Sequence, residues 1–252
     1  MELIDSSLTD KKYWHKNFGD PDFFYFGGSS YGKYLNKYLD IDPNKTCIEI
    51  GAFPGGNLGY LAKTFHFKPT ALDFVDNIDF IRKNMEYNNI NECEIISEDF
   101  LKWESEMKYD VVCSHGFIEH FVNYEEVLQK HIDILENNGT LIITVPYLDY
   151  FQLWVRQILY TERKYKETMA VHNKEVMNID ILKEIIFKRN KLSKQFVGFV
   201  RGMEIWFPAN EGTIQMDKIR IYNFIKKLER IVNALKISNR FISPEILIIA
   251  KK

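Results

Sequence analysis

One segment, Cys47-Ile-Glu-Ile-Gly-Ala-Phe-Pro-Gly-Gly-Asn-Leu-Gly59, constrains the fold more than any other. An apolar β-branched run reads as a buried strand, stops at Gly51, and passes through a glycine-rich turn into a helical pattern over Leu58–Phe65. Gly51 lets the chain leave the strand sharply, while Gly55 and Gly56 let backbone approach a ligand without Cβ interference. The first turn of the helix offers free N–H groups to a carboxylate or phosphate. A chain that does this builds a sheet whose strand ends carry the ligand.

The rest of the middle section agrees. Apolar β-branched runs at Thr46–Ile50, Thr70–Val75, Cys93–Ser97, Asp110–Cys113 and Thr140–Val145 alternate with helical spacing at Ile78–Asn88 and Tyr124–Leu135. Such alternation predicts βαβ units and a parallel sheet covered on both faces. Ahead of it, Tyr31–Tyr38 reads as a helix. After Pro146 the pattern predicts one amphipathic helix over Tyr150–Lys166, with Phe151, Trp154, Val155, Ile158 and Leu159 on one face, and another at Ile179–Lys188. Strand spacing returns at Gln195–Arg201, a basic amphipathic helix follows around Asp217–Leu235, and Glu245–Ala250 is a last strand suited to antiparallel return. The expected layout is a single domain of 1–252. It comprises an amino-terminal helical lid (1–45), a ligand-binding core (46–148), a helical cap insertion (149–194), and carboxyl-terminal strands with the basic helix (195–252).

Charge divides along the chain. Residues 1–150 hold 13 Lys+Arg against 25 Asp+Glu, and residues 151–252 hold 20 against 10, so the second half suits an anionic small molecule. A solvated basic helix is the plainer account of the same charge. The three cysteines lack C-x-x-C spacing and read as small buried hydrophobes in a reducing, cytoplasmic setting. The amino terminus has no apolar stretch of signal-peptide type, and no window approaches the roughly 18 apolar residues of a membrane span.

An acid narrows the ligand. The turn alone could hold NAD, FAD, a nucleotide or S-adenosylmethionine. Asp73 ends the second strand where a carboxylate can accept from both ribose hydroxyls. From 46 to 148 the chain resembles the class I S-adenosylmethionine-dependent methyltransferases. Glu49, Gly51 and Gly55 match their first motif and Asp73 their second. Ser97-Glu-Asp99-Phe100 matches the third, Tyr109-Asp-Val-Val-Cys-Ser-His-Gly-Phe-Ile-Glu-His-Phe121 the fourth, and Asn138-Gly-Thr-Leu-Ile-Ile-Thr-Val-Pro146 the fifth. The resemblance implies an α/β fold, a doubly wound, seven-stranded, mostly parallel Rossmann-like sheet with an antiparallel late strand. It also implies S-adenosyl-L-methionine as cofactor, held by Glu49, Gly51, Gly55, Asp73, Phe74, Asp99, Phe100 and Ser114, with Asp99 receiving the adenine amino group.

Methyl transfer asks mainly for in-line positioning, plus a base when the acceptor carries a proton. His115 and His120 flank the exit of the fourth strand, and His172 sits in the cap. These three are the candidate catalytic bases, and structural packing is the competing role for each. Tyr147 and Tyr150 fall where the resembling fold holds its acceptor. Tyr25, a third candidate for the acceptor site, lies with Tyr13, Trp14 and Phe26 in a segment that reads either as a lid over the donor hinged at Gly27 and Gly28 or as core packing. Glu119-His120 is a neighbouring pair too small to define a metal site, so none is expected.

Alternatives are weaker. Gly-Ala-Phe-Pro-Gly-Gly is similar to the turn of ribosomal-RNA 2′-O-methyltransferases, but the fifth strand lacks their lysine, which argues against nucleic acid as the substrate. An NAD-dependent oxidoreductase would want Gly-x-Gly-x-x-Gly and leaves Asp99 unexplained. A non-catalytic binder of S-adenosylmethionine conflicts with the intact Gly51, Asp73 and Asp99 set, and an aminopropyl transferase with the basic second half. The expected reaction is methylation of oxygen or nitrogen on a small acceptor, of phosphorylated, nucleotide-linked or glycan-precursor type. The sequence leaves the oligomeric state open.

Overall fold

The computed structural model describes residues 6–18 and 21–252; residues 1–5 and 19–20 of the expected amino-terminal lid lie outside them. Seven strands form one sheet in the order β3-β2-β1-β4-β5-β7-β6. They are β1 (Thr46–Ile50), β2 (Lys68–Asp73), β3 (Glu94–Ser97), β4 (Tyr109–His115), β5 (Leu135–Pro146), β6 (Ser193–Val200) and β7 (Glu245–Lys251). All neighbours pair parallel except β7, which runs antiparallel to both β5 and β6. The late strand therefore returns as the sequence predicts.

Period-two alternation explains why both faces are covered. Ile48, Ile50, Leu72, Val112, Ile143, Ile246 and Ile248 pack on one face against α5 (Tyr124–Asp133) and α8 (Ile179–Lys183). Their neighbours Cys47, Ala71, Val111, Cys113, Ile142, Leu247 and Ile249 pack on the other, against α2 (Gly32–Tyr38), α3 (Gly56–Phe65) and α4 (Asp79–Tyr87). Cys47 and Cys113 are buried and Cys93 is half-buried, all as free thiols.

Two helix boundaries differ from expectation, and the second strand stops at Asp73, short of the end of its apolar run. The predicted helix Tyr150–Lys166 is two helices, α6 (Tyr150–Leu159) and α7 (Glu162–Ala170). Tyr160 is extended and bridges to Ile214, and Thr161 then caps α7 by accepting the Lys164 N–H at 3.2 Å. The second strand ends at Asp73 because that carboxylate accepts the Phe74 and Val75 N–H groups, at 2.7 and 3.2 Å, and so turns the chain. The helix predicted for Ile179–Lys188 opens after Lys183 into a wide π turn over Glu184–Arg189.

A third, smaller core joins Val155 and Leu159 of α6 to Met203, Ile205, Phe207, Ile214 and Ile225, the last on α9 (Ile219–Ala234). The cap helix and the basic helix are thus packed together rather than separately on the sheet. Lys11–Phe18 forms α1. No helix among the described residues is long and apolar enough to cross a membrane.

Candidate active site

Strand order reverses between β1 and β4, and the crevice outside their carboxyl ends is where a sheet of this kind binds ligands. A cavity of about 400 Å³ opens there, lined by Gly51, Asp73, Phe74, Asp99, Phe100 and Phe117 among others. Ser7, Thr9, Asp10 and Lys11 complete its wall. That amino-terminal strip is pinned: the Leu8 N–H donates to the His120 carbonyl at 2.7 Å, the Val122 N–H donates to the Ser6 carbonyl at 2.9 Å, and Lys11 pairs with Asp76 at 2.7 Å.

Gly51 adopts φ +70°, and a Cβ there would lie 2.6 Å from Cδ2 of Phe117, so both the backbone and the space require glycine. Gly55, at φ +98°, starts α3 in the left-handed region. Glu49 braces the turn instead of lining the cavity. Its Oε2 accepts the Leu58 N–H at 2.7 Å, and burial pushes its carboxyl up to about 8 against that hydrogen bond. Asp73 is only 6% exposed and accepts the Phe53 N–H at 2.9 Å as well as those of Phe74 and Val75. Burial raises its pKa, while the three N–H donors and Lys11 oppose the shift. Asp99 is more open, accepting the Leu101 N–H at 3.0 Å and lying 3.5 Å from Lys102. Ser114 is fully buried inside β4, and its hydroxyl has no hydrogen-bond partner among the described residues.

A narrow cavity of about 70 Å³ shares Gly51, Asp73, Phe74 and Phe117 with the first and adds Trp14, His115 and Gly116. His115 is the last residue of β4, which runs two residues beyond the Cys113 end that the sequence suggests. Its ring stacks on Tyr31 at 5.0 Å, and Nδ1 lies 3.3 Å from Oγ1 of Thr144. The Tyr31 hydroxyl donates to Glu245 at 2.7 Å, and Arg201 stands 3.8 Å from the other Glu245 oxygen while pairing with Glu204 at 2.7 Å. These groups leave the edges of β4, β5, β6 and β7 at one end of the sheet. Burial holds the His115 imidazole down to about 3, which corrects the expectation of a base titrating near neutrality.

His120 and His172 line neither cavity. Each Nδ1 lies 2.6 Å from a backbone carbonyl, of Val171 and Thr168 respectively, and the two rings are 4.9 Å apart. Tyr147 is buried, edge-on to Phe199 at 4.8 Å. It lines another cavity of about 450 Å³ together with Lys174, Lys183, Asp149, Asp180 and Arg240. Tyr150 is exposed beside this cavity, its hydroxyl accepting from Arg240 at 2.8 Å.

Tyr25 lies apart. It is 68% exposed, with its ring 4.9 Å from Tyr87 on α4, and it lines none of these cavities. Phe26 is buried against the body of the protein, so the cover over the cavities comes from the Ser7–Lys11 strip and Trp14 instead. Sequence reasoning missed Glu245, Arg201, Tyr31 and Phe117, since nothing local to those residues marks them.

The residues fit S-adenosylmethionine. A cradle that a Cβ would fill at Gly51, buried Asp73 behind it, and the half-open Asp99 carboxylate on the same wall suit a ribose and an adenine amine. A methyltransferase-domain family profile matches residues 23–192. Among solved structures, the MccD protein superposes with a TM-score of 0.57 at 13% identity, over 87% of this chain and 95% of its own. A geranyl diphosphate C-methyltransferase from Streptomyces coelicolor A3(2) does so at 0.55 and 12%, over 87% and 75%. The plantazolicin methyltransferase BpumL does so at 0.53 and 16%, over 87% and 80%. No curated protein sequence matches the chain. The fold, the site and the profile together define a class I, S-adenosylmethionine-dependent methyltransferase. The chain belongs to the methyltransferase-domain family.

Proposed function

We propose that this enzyme methylates an oxygen or nitrogen of a small anionic acceptor bound at the β5–β7–β6 end of the sheet. The observation that carries the reading is the cavity beside Tyr147, where Lys174, Lys183 and Arg240 gather while Asp180 is engaged by Lys183 at 2.9 Å. A phosphate or carboxylate there would meet cations at a rim, with Tyr147 and Phe199 as apolar wall. Phosphorylated, nucleotide-linked and glycan-precursor acceptors all present this chemistry.

Gly51, Asp73, Phe74, Asp99 and Phe100 are proposed to hold the donor, with Glu49 and Gly55 fixing the turn and Ser114 beneath it. The donor supplies a methyl group on a sulfonium, already a good leaving arrangement, so the protein's work is alignment and exclusion of water. His115 lines the narrow cavity that adjoins the proposed donor cavity. Held at about 3, it is neutral at physiological pH and accepts a hydrogen bond without keeping a proton. Its proposed role is to orient the acceptor's hydroxyl or amine toward the methyl. Trp14 and the Ser7–Lys11 strip exclude water above it.

Methyl-labelled S-adenosylmethionine tests the acceptor class when incubated with matched acceptors that differ only by a phosphate. Label should pass to the phosphorylated member with at least about tenfold higher kcat/KM, and Lys183→Ala with Arg240→Ala should erase that preference. Equal transfer to both members, untouched by the double substitution, would contradict an anionic acceptor.

A further inference from the structure

We infer that Glu119, His120 and His172 form a divalent transition-metal site, of the zinc class, beside the point where donor and acceptor meet. The inference rests on the reading of this end of the sheet as the acceptor site. One ligand atom from each of the three residues lies within 4.8 Å of the others. The sequence offers only the Glu119-His120 neighbours; the fold brings His172 to them from the far end of α7.

Two features distinguish the cluster from ordinary packing. The first is tautomer. A backbone carbonyl can only accept, so the 2.6 Å contacts of His120 Nδ1 with Val171 and His172 Nδ1 with Thr168 place a proton on each Nδ1. Each Nε2 is then a bare lone pair, and a backbone carbonyl behind the distal nitrogen is the arrangement that orients metal-binding imidazoles. The second is the carboxylate. Glu119 is 1% exposed; Oε1 stands 3.6 Å from His120 Nε2, and Oε2 has no hydrogen-bond partner among the described residues. Two imidazole nitrogens and a carboxylate oxygen converge in a buried place, and a cation there would take up all three and displace the proton that burial otherwise keeps on Glu119.

Two histidines and one carboxylate, with a fourth position open, is the ligand set of catalytic rather than structural zinc. Ligand bonds of about 2.0–2.1 Å require the donor atoms to close to about 3.4 Å, a small rotation for two side chains on one turn and a third from beyond α7. The open position has somewhere to face. A Cβ on Gly116 would lie 3.3 Å from Glu119 Oε1, and Gly116 lines the narrow cavity with His115 and Gly51. Among neighbouring charges, Glu245 adds to the negative field and the buried Arg156 opposes it, held by Gln152 at 2.8 Å.

A metal here supplies what His115 does not. A hydroxyl acceptor bound to it would be acidified and would give up its proton to bulk solvent on entering the site. Its oxygen then forms the bond to the methyl carbon, and the electron pair of the broken carbon–sulfur bond stays on sulfur.

The test uses the full chain, stripped with chelator and dialysed, titrated separately with Zn²⁺ by calorimetry and with Co²⁺ by visible absorbance. One equivalent should bind at submicromolar affinity, and Co²⁺ should give ligand-field bands. His120→Ala and His172→Gln should each weaken binding at least 100-fold, with S-adenosylhomocysteine affinity kept within a few fold and circular dichroism unchanged. His66→Asn, outside the cluster, should change nothing. A folded wild type that binds S-adenosylhomocysteine but no stoichiometric metal would overturn the site, as would metal binding indifferent to both His120→Ala and His172→Gln. Loss of S-adenosylhomocysteine binding in the metal-free wild type would instead refute the donor assignment, leaving the metal titration to stand or fall by its own curve. Should His120→Ala not fold, the His172→Gln titration decides.

Discussion

The two ends of the sheet are built by different means. At the β1–β2–β3 end the ligand cavity is shaped largely by main chain: Gly51 and Gly55 at positive φ, and a carboxylate, Asp73, that accepts three backbone N–H groups, from Phe53, Phe74 and Val75. At the β5–β7–β6 end the walls are side chains drawn from distant segments, with Tyr31 reaching Glu245 and Arg201 reaching both Glu204 and Glu245. A backbone-built site has one shape and suits a ligand that never varies. A side-chain-built site changes shape with every substitution, which suits the component of a reaction that differs between enzymes of one fold.

Substitutions can break this contrast. The largest effect is expected from Gly51→Val, which must put a β-branched side chain at φ +70° and into the Phe117 ring. Calorimetry should find S-adenosylhomocysteine binding abolished in a variant that still unfolds cooperatively; normal binding would mean the turn does not approach the donor. Next is His115→Ala, expected to cost about 10² in turnover through lost orientation while donor affinity holds within a few fold. Because the imidazole is held at about 3, the wild-type pH–rate profile between pH 5 and 9 should carry no limb that disappears in this variant. A neutral-range limb abolished by His115→Ala would restore the general-base role.

Asp73→Ala should weaken donor binding by about 1–3 kcal/mol, because ribose hydroxyls lose their acceptor. Unchanged affinity in the folded variant would remove Asp73 from the ribose. The smallest effect on catalysis belongs to His131, whose ring packs 4.8 Å from Phe100 behind the donor cavity. Burial holds it at about 4, against about 6.5 in an unfolded chain. Between those values the unfolded chain binds the extra proton, so this contribution to stability is full above about pH 6.5 and is lost as pH falls toward 4. Urea unfolding should show His131→Leu losing on the order of 2 kcal/mol less stability than wild type between pH 7 and pH 5, with turnover at pH 7 little changed. Equal losses would place the acid sensitivity elsewhere.

The same contrast governs what the sequence reveals. Strand and helix periodicity, the Gly51 turn and the acid at Asp73 are local patterns, because much of the cavity wall comes from short runs at strand ends, around Asp73 and Asp99, while the Ser7–Lys11 strip that completes it carries no such mark. Even there, Glu49 carries its motif position by holding the Leu58 N–H, a bracing role that spacing does not disclose. At the other end, Glu245 opens the last strand as an ordinary acid, and only the register that sets it opposite Pro146 and Val200 gives it a place beside His115. The break at Tyr160 was hidden for a similar reason. Its cause is the bridge to Ile214, a partner 54 residues on, while the local spacing stays helical. Tyr25 has the composition of a lid residue, yet its ring lies against Tyr87 on the outer surface.

The central claim, that the β1–β4 crevice is a preformed S-adenosylmethionine site, is tested most directly by calorimetric titration of the wild-type protein with S-adenosylhomocysteine and, in parallel, with NAD⁺. The account predicts one site per chain for S-adenosylhomocysteine, at micromolar affinity or tighter, with no heat of binding from NAD⁺. A folded protein that ignores S-adenosylhomocysteine, or that takes up NAD⁺ in its place, would contradict it.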